Sequence, residues 1–144
     1  WGSSSVHVYN PYRDKWESRK NMPLPRADAR AEVVNNKIYL IGGKSGMPNF
    51  KRYYDIIVYN PQNNTWDDQV IEMRSKRKSH GSCVVDGKIY VIGGLDDEEN
   101  GLATVEAFDT RQQLWETKAD MPTARGNISV SYYKGKINWR YGSN

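Results

Sequence analysis

The sequence has 144 residues and a formal net charge of +4, a length that suggests one domain of ordinary size. Ile, Leu, Val and Phe make up 27 residues, just below the roughly 20% at which disorder becomes plausible. The 5 Trp, 10 Tyr and 2 Phe residues and the small net charge argue against an unfolded chain. The apolar runs, such as residues 38–41, are far short of the roughly 20 residues that span a bilayer, and one cysteine excludes an internal disulfide framework.

The chain contains an internal repeat of about 50 residues, a period typical of solenoid and propeller proteins. In chain order, three tryptophans each follow a short Tyr/Phe-Asn/Asp turn sequence: Trp16, Trp66 and Trp115. Each is followed by a methionine and, four residues later, by an arginine: Met22 and Arg26, Met73 and Arg77, Met121 and Arg125. Twelve residues beyond each arginine is an isoleucine that follows a lysine: Ile38, Ile89 and Ile137. So many landmarks in the same register predict three copies of one structural unit.

Each unit is predicted to contain four short β-strands. Turns with Asn, Asp or Gly lead from the first strand to the second, as in tight hairpins: Asn35-Asn36, Asp86-Gly87 and Lys134-Gly135. The second strand, residues 38–41 in the first full unit, is continuously apolar and is therefore predicted to be buried on both faces. It ends at a double glycine, Gly42-Gly43, and a variable loop leads to a third strand at residues 56–59. The fourth strand opens at the Trp, and with no helical periodicity of useful length, the predicted fold class is all-β.

This four-stranded unit, with its double glycine and spaced Tyr and Trp, resembles the kelch repeat. The resemblance covers nearly the whole chain and implies a β-propeller, in which each repeat forms one blade of four antiparallel strands. In this family, Tyr and Trp pack between neighbouring sheets. The repeat phase assigns residues 1–25 to strands three and four of one blade, 26–76 and 77–124 to complete blades, and 125–144 to strands one and two of a degenerate blade.

Three blades' worth of sequence does not close a propeller, since propellers contain roughly four to eight blades. One explanation is that the chain is part of a longer protein, as half of a six-bladed propeller would be. The other is self-association, in which two chains complete each other's split blades in a two-fold symmetric ring. The last unit departs from the repeat, because Asn138-Trp139-Arg140 stands where the other units have Tyr-aliphatic-Ile.

The long loops on one face of the propeller are the predicted binding site, since loops on a rigid scaffold commonly carry binding residues. Residues 74–78 are rich in Arg and Lys, residues 44–54 add Lys44, Lys51 and Arg52 beside Tyr53 and Tyr54, and residues 96–99 are all acidic. One interpretation is a basic, aromatic-lined surface that binds an acidic peptide. The alternative is that the charged loops are solvated and mostly balance each other.

The turns and the Trp–Met–Arg spacing resemble most closely the kelch domains of BTB-kelch proteins. In that family the propeller commonly recruits a substrate to a cullin-RING ubiquitin ligase. The resemblance implies partner-binding positions at the motif arginine, at the small polar residue that opens strand three, and after the double glycine. With aromatic and His residues of the same loops, the predicted site comprises Arg26, Arg77, Arg125, Ser5, Asp55, Thr104, Lys44, Leu95, Tyr53, Tyr54 and His80.

Several alternatives accompany that prediction. The motif arginines could instead be structural, bonding the backbone or a carboxylate of the adjacent blade. Lys44 and Leu95 stand where relatives often have tyrosine, so the peptide specificity of relatives does not transfer. A cullin is expected to bind only through BTB and linker regions, which these residues do not contain. The alternative function is an actin-binding or cytoskeletal scaffold.

The sequence lacks the patterns of catalytic propellers. A copper radical oxidase resembling galactose oxidase needs a cysteine–tyrosine cross-link and two histidine ligands, but Cys83 is predicted to be a small buried hydrophobe and His7 and His80 lack ligand spacing. His80 is expected to cap a turn or face solvent. The carboxylates at 96–99 are consecutive and therefore do not converge as a sialidase-like site requires. We predict no enzyme activity, no cofactor, no metal, no nucleic-acid or membrane binding, and a cytoplasmic location.

Overall fold

The computed structural model describes residues 3–48 and 50–140, and within them the chain forms β-strands and no helix. The strands are β1 (Val6–Asn10), β2 (Lys15–Arg19), β3 (Arg30–Val34), β4 (Lys37–Ile41), β5 (Asp55–Asn60), β6 (Thr65–Trp66), β7 (Ile71–Glu72), β8 (Gly81–Val85), β9 (Lys88–Ile92), β10 (Val105–Asp109), β11 (Leu114–Lys118), β12 (Ser129–Tyr133) and β13 (Lys136–Arg140). The parts of the sequence predictions that fall on residues 1–2 and 141–144 lie outside the described residues.

The strands form antiparallel sheets whose strand order follows the chain. One full sheet runs β3-β4-β5 with β6 and β7 along its outer edge, and the next runs β8-β9-β10-β11. The flanking sheets are the hairpins β1–β2 and β12–β13. The register repeats, because Tyr59 lies opposite Ile38 and Trp66 just as Phe108 lies opposite its own Ile and Trp. The predicted all-β fold with four-stranded antiparallel blades is confirmed, while the unit boundaries stay a prediction.

The hairpin turns between the first two strands of each unit have two successive residues with positive φ. The angles are 50° and 61° at Asn35-Asn36, 49° and 76° at Asp86-Gly87, and 47° and 76° at Lys134-Gly135. Such a turn matches the right-handed twist of the strands that it joins. Asn, Asp and Gly tolerate these angles best, so the local sequence sets the hairpin register.

The third strand of each full sheet is its most buried element. Residues 56–59 of β5 and 105–108 of β10 are all buried. In β4, however, Tyr39 and Ile41 are buried, whereas Ile38 and Leu40 are only half-buried. The prediction that the second strand is buried on both faces is therefore wrong for β4, whereas in β9 Ile89, Val91 and Ile92 are buried and Tyr90 is half-buried. Ile38 and Leu40 border a cleft of about 420 Å³ beside β1 instead of a packed sheet.

An aromatic pair links the third and fourth strands of each unit. The ring centroids are 5.1 Å apart in Tyr9–Trp16, 5.0 Å in Tyr59–Trp66 and 5.1 Å in Phe108–Trp115. The indole N–H of Trp66 donates to the Lys20 carbonyl at 3.1 Å, and that of Trp115 donates to the Glu72 carbonyl at 3.0 Å. Each bond joins a sheet to the one before it, so these aromatic side chains hold neighbouring sheets together as well as filling the space between them.

Cys83 lies buried in β8, and we expect its thiol to be unreactive in the folded protein. Burial, with a smaller contribution from Glu32, raises the pKa of the thiol to about 11. Because the thiolate is the reactive form, alkylation by iodoacetamide should be more than about 100-fold slower in the native state than in guanidinium chloride. Mass spectrometry of timed samples measures both rates. Equal rates would show that the β8 region opens freely.

Candidate functional site

The loops between strands four and one and those between strands two and three lie on one side of the sheets, which we call the loop face (residues 20–29, 42–54, 73–80, 93–104 and 119–128). Gly43 has a φ of 101°, and a Cβ there would lie only 2.8 Å from the Ala27 carbonyl oxygen. This close approach lets Ala27 and Lys44 exchange two backbone hydrogen bonds of 2.8 and 2.9 Å. Lys78 and Leu95 do the same in the next unit, at 3.0 and 2.8 Å. The positions after the double glycines thus join the two kinds of loop through the main chain.

Arg26 forms the first cluster of predicted site residues. Its side chain is 2% exposed and is ion-paired with Asp55, whose carboxylate is 23% exposed. Its Nη1 also donates to the Gly42 carbonyl at 3.0 Å. The guanidinium carbon lies 4.2 Å from the centroid of the buried Tyr53 ring. The structure therefore brings together Arg26, Asp55 and Tyr53, with the hydrogen-bonding edge of the arginine turned inward.

Arg77 makes a fuller set of internal bonds. Its Nη1 donates to the carbonyls of Gly93 and Thr104, each at 3.0 Å, and its Nη2 donates to the Thr104 hydroxyl at 2.9 Å and to Glu106 at 2.7 Å. The side chains of Arg77 and Glu106 are 0% and 6% exposed. Burial lowers the pKa of the guanidinium, and Glu106 opposes that shift. The pair is therefore a buried ion pair with its hydrogen bonds largely satisfied.

The two arginines use carboxylates that lie two residues apart along the third strand. Asp55 and Thr104 are equivalent in the repeat, as are Ile57 and Glu106, and residues two apart on a strand point to the same face. A carboxylate at either position can therefore reach the arginine. The structural alternative supposed bonds to the backbone or to a carboxylate of the adjacent blade. The backbone bonds are present, but each carboxylate belongs to the same repeat unit as its arginine. Glu106 was not among the predicted residues, although a Glu on an otherwise apolar strand could have revealed it.

The remaining motif positions lie near these clusters or beyond them. Arg125 is half-buried, with its guanidinium carbon 5.3 Å from the centroid of the Trp139 ring. Ser5 is exposed, and its hydroxyl lies 2.7 Å from that of Ser3. The Ser3 carbonyl accepts a hydrogen bond from the Arg26 N–H at 3.2 Å. The segment before β1 therefore borders the first arginine cluster.

The acidic loop after β9 contacts the basic loops beside it. Arg52 Nη1 lies 3.3 Å from Asp97 Oδ1, and Arg52 Nη2 lies 3.6 Å from Glu99 Oε1. The Tyr54 hydroxyl donates to Asp97, and Lys78 pairs with Glu99. Partial burial and then the Asp97 contact raise the pKa of Tyr54. The charged loops partly balance one another, as in the alternative that the sequence left open.

Other cationic and apolar side chains of these loops face solvent, and we call them the outer patch. Met47 is 76% exposed and Phe50 is 49% exposed, and the side chain of Arg74 is 54% exposed. The Nζ of Lys76 lies 5.7 Å from the centroid of the Tyr54 ring, which connects the loop at 73–80 to the loop at 42–54. The outer patch consists of Met47, Phe50, Lys51, Arg74 and Lys76.

His80 is buried, so the expectation that it caps a turn or faces solvent is wrong. It is 2% exposed, and neither ring nitrogen has a hydrogen-bond partner among the described residues. Its ring packs against the backbone of Gly42, where a Cβ would lie 3.1 Å from His80 Cε1. Burial, followed by the positive charges of Arg77 and Arg30, lowers the pKa of His80 to about 3. The imidazole is therefore neutral at neutral pH and serves as packing.

Residues 3–48 and 50–140 contain neither a cluster of metal-ligating side chains nor a membrane-spanning helix. No group of three or more His, Cys, Asp or Glu side chains there is arranged to hold a metal ion. No helix in the same residues is long and apolar enough to cross a membrane.

Comparison with known proteins identifies relatives of the whole chain. A family model described as "KLHDC2/KLHL20/DRC7 Kelch-repeats domain" matches residues 2–144. Beta-scruin of Limulus polyphemus is 32% identical over 139 residues, Kelch-like protein 26 of Danio rerio 29% over 131, and Kelch repeat and BTB domain-containing protein 1 of Ectromelia virus (strain Moscow) 28% over 134. These matches cover 92%, 88% and 92% of this chain but only 15%, 21% and 23% of those proteins. The chain therefore spans less than a quarter of each relative.

A solved structure, that of YjhT, matches with a TM-score of 0.78 at 16% identity and covers 94% of this chain and 57% of that one. At this identity the likeness shows the fold alone. That fold is one that catalytic proteins also adopt, so the likeness overturns the prediction that the chain is not an enzyme. Catalytic and non-catalytic proteins share the propeller fold, and function depends on the site and not on the fold. The exclusion of enzyme activity is therefore wrong.

Proposed function

The chain belongs to the kelch-repeat family, and from this premise we propose that it is a protein-binding module that contacts its partner on the loop face. The observation that carries the proposal is the outer patch, where Met47 and Phe50 are exposed beside lysine and arginine side chains. Exposed apolar groups next to charged ones are typical of surfaces that bind proteins. The relatives named for kelch repeats support the same function.

The charge of the outer patch favours a partner segment that combines acidic residues with an apolar one. Lys51 and Lys76 are exposed, and Arg74, although its Nε lies 4.0 Å from Glu106, keeps more than half of its side chain in solvent. An arginine fork suits a carboxylate, and lysines add attraction at longer range. Because these contacts would form at a wet surface, binding should weaken as salt is added.

Several predicted residues have a supporting place in this proposal. Arg77 and His80 are 1% and 2% exposed, so we assign them to positioning of the loops and not to contact with the partner. Arg26 and Tyr53 also have their side chains packed inward. Tyr54 borders the patch through its contact with Lys76.

In a longer protein, we propose that this module recruits a substrate to a cullin-RING ubiquitin ligase in the cytoplasm. The support is the presence of Kelch-like and BTB-containing proteins among the relatives. The second candidate is a cytoskeletal scaffold. Beta-scruin, at 32% identity, is named for neither Kelch-like nor BTB proteins, so the relatives do not all support the ligase role. Sedimentation with actin filaments would separate the candidates, since only the scaffold is expected to pellet with them.

The polar side chains of β13 argue against the pairing of two chains into one ring. Ile137 and Trp139 pack against the sheet before them, so Asn138 and Arg140 lie on the opposite face of the strand. In a paired ring that face would meet the cleft that Ile38 and Leu40 line. Polar side chains without partners are unfavourable in such a place.

We expect substitutions in the outer patch to weaken peptide binding. Peptides selected by display against the immobilised chain should be enriched in Asp or Glu near an apolar residue. The double variant Arg74→Ala/Lys76→Ala should weaken a selected peptide by about fivefold or more, since each exposed charge pair contributes about 0.2–1 kcal/mol. Fluorescence anisotropy measures the affinity.

Arg111→Ala is the control for loss of one positive charge away from the patch, because Arg111 is also exposed but lies in the β10–β11 turn on the opposite side of the sheets. It should change the affinity by less than about twofold. An equal loss in the control variant, or selected peptides without acidic residues, would contradict the proposed site.

A further inference from the structure

The acidic loop after β9 (residues 96–99) already forms ion pairs with basic side chains beside the outer patch. Asp97 and Glu99 contact Arg52, Tyr54 and Lys78, which belong to the loops proposed to bind the partner. We propose that this loop is an internal competitor, which the acidic segment of a partner must displace to reach the full basic surface. The inference rests on the proposed function and adds a regulation of that site.

The four carboxylates of this loop have different partners. Asp96 Oδ1 accepts hydrogen bonds from the backbone N–H groups of Glu98 at 2.9 Å and Asn100 at 2.8 Å, which forms a compact turn. Those bonds, with the amide of Asn100, lower the pKa of Asp96. The turn places Asp97 and Glu99 against the basic loops. The Glu98 carboxylate lies 3.3 Å from the side-chain amide of Asn100 and, among the described residues, forms no ion pair.

The contacts are suited to exchange because they are partly solvated. The carboxylates of Asp97 and Glu99 are 53% and 60% exposed, and the side chain of Arg52 is 28% exposed. Exposed ion pairs change an equilibrium by only about two- to fivefold each. An incoming carboxylate can therefore replace them, and displacement would free Arg52, Lys78 and the Tyr54 hydroxyl. The equilibrium between loop and partner then sets the apparent affinity.

The test measures binding of a fluorescein-labelled octaglutamate peptide by anisotropy at low salt. Asp97→Asn keeps an acceptor for the Tyr54 hydroxyl but removes the charge next to Arg52, and it should tighten peptide binding by about threefold or more. Glu98→Gln is the matched control, because it removes one charge from the same loop without breaking a contact to a basic side chain. The gain in binding free energy from Glu98→Gln should be less than half of the gain from Asp97→Asn.

A third variant tests whether Arg52 is the basic side chain for which the loop and the peptide compete. Arg52→Gln should remove the gain, so that Asp97→Asn/Arg52→Gln binds no more tightly than Arg52→Gln alone. Equal gains from Asp97→Asn and Glu98→Gln would overturn the proposal, because net charge would then explain them. Weaker binding of Asp97→Asn would overturn it too, since the loop would then support the site instead of competing for it.

The outcomes also separate this inference from the proposed function. If display-selected peptides bind through the outer patch but Asp97→Asn leaves both them and octaglutamate unaffected, the competitor is rejected and the module stands. If no acidic peptide binds any variant, both are rejected. Melting curves of Asp97→Asn and Glu98→Gln should match the wild type, because both side chains are exposed, and the half-buried Arg52 is compared only between the two variants that share Arg52→Gln.

Discussion

Replacing Arg77 with alanine is expected to lower the free energy of unfolding by about 3–5 kcal/mol, as breaking one side of a buried ion pair does. The truncation would leave the Glu106 carboxylate, 6% exposed, without its buried ion-pair partner, and only the Ser75 hydroxyl at 3.0 Å and the exposed Arg74 at 4.0 Å would remain near it. It would also remove the donor that the carbonyls of Gly93 and Thr104 share. Urea denaturation of the wild type and the variant measures the difference.

Arg26→Ala is the internal comparison for this prediction. Asp55 is 23% exposed, so water can solvate its carboxylate once the arginine is gone, and the loss should be about 1–3 kcal/mol. The double variant Arg77→Met/Glu106→Leu should recover most of the stability lost in Arg77→Ala, because neither buried charge remains. A loss in Arg77→Ala no larger than that in Arg26→Ala would show that water reaches Glu106 in solution.

This stability effect bears on how the family's motif arginine is studied. If Arg77→Ala unfolds part of the protein, loss of a partner in that variant says nothing about contact between arginine and partner. Effects on binding are therefore better tested at Arg74 and Lys76, whose side chains are exposed. Within the buried arginine clusters, substitution there removes at most the 4.0 Å contact between Arg74 and Glu106 and leaves the bonds of Arg77 in place.

The features that repeat along the chain could be predicted from the sequence. The three Tyr/Phe–Trp pairs, the turns such as Asn35-Asn36, and the third strand predicted at residues 56–59 and observed at Asp55–Asn60 all follow local patterns. A propeller blade is a sequential meander, so neighbours in the sheet are neighbours in the chain. The spacing of residues was therefore enough to predict the pairing of strands.

The contacts between loops could not be predicted in this way. Glu106 became the partner of Arg77 through a shift of two residues along a strand, which the position of Asp55 in the previous unit did not indicate. The charges at residues 96–99 were equally compatible with solvation and with pairing to Arg52. Burial of His80 depends on the backbone of Gly42 in another unit. Each of these features is decided by which loops meet, and the repeat spacing does not specify that.

His80 should make the protein less stable as the pH falls below about 6.5. Burial and the nearby Arg77 and Arg30 lower the pKa of the folded-state imidazole to about 3, whereas in the unfolded chain it is near 6.5. Between these values the unfolded state binds a proton that the folded state does not, so acid favours unfolding. The contribution of the neutral His80 to the free energy of unfolding is complete above about pH 6.5 and is lost as the pH falls toward 3. The free energy of unfolding changes by at most about 1.4 kcal/mol per pH unit on this account.

His80→Gln isolates this effect, because glutamine has no proton to gain in the same range. The substitution changes the absolute stability, but that change is an offset that does not depend on pH. Carboxylates titrate in both proteins, so their contribution cancels in the difference between the two curves of unfolding free energy against pH. The free energy of unfolding of the wild type should fall relative to that of His80→Gln by about 1 kcal/mol per unit as the pH falls from about 6 to about 5. Parallel curves would mean that the imidazole of the folded protein accepts a proton near its ordinary pKa, and hence that the contact between His80 and Gly42 opens to water.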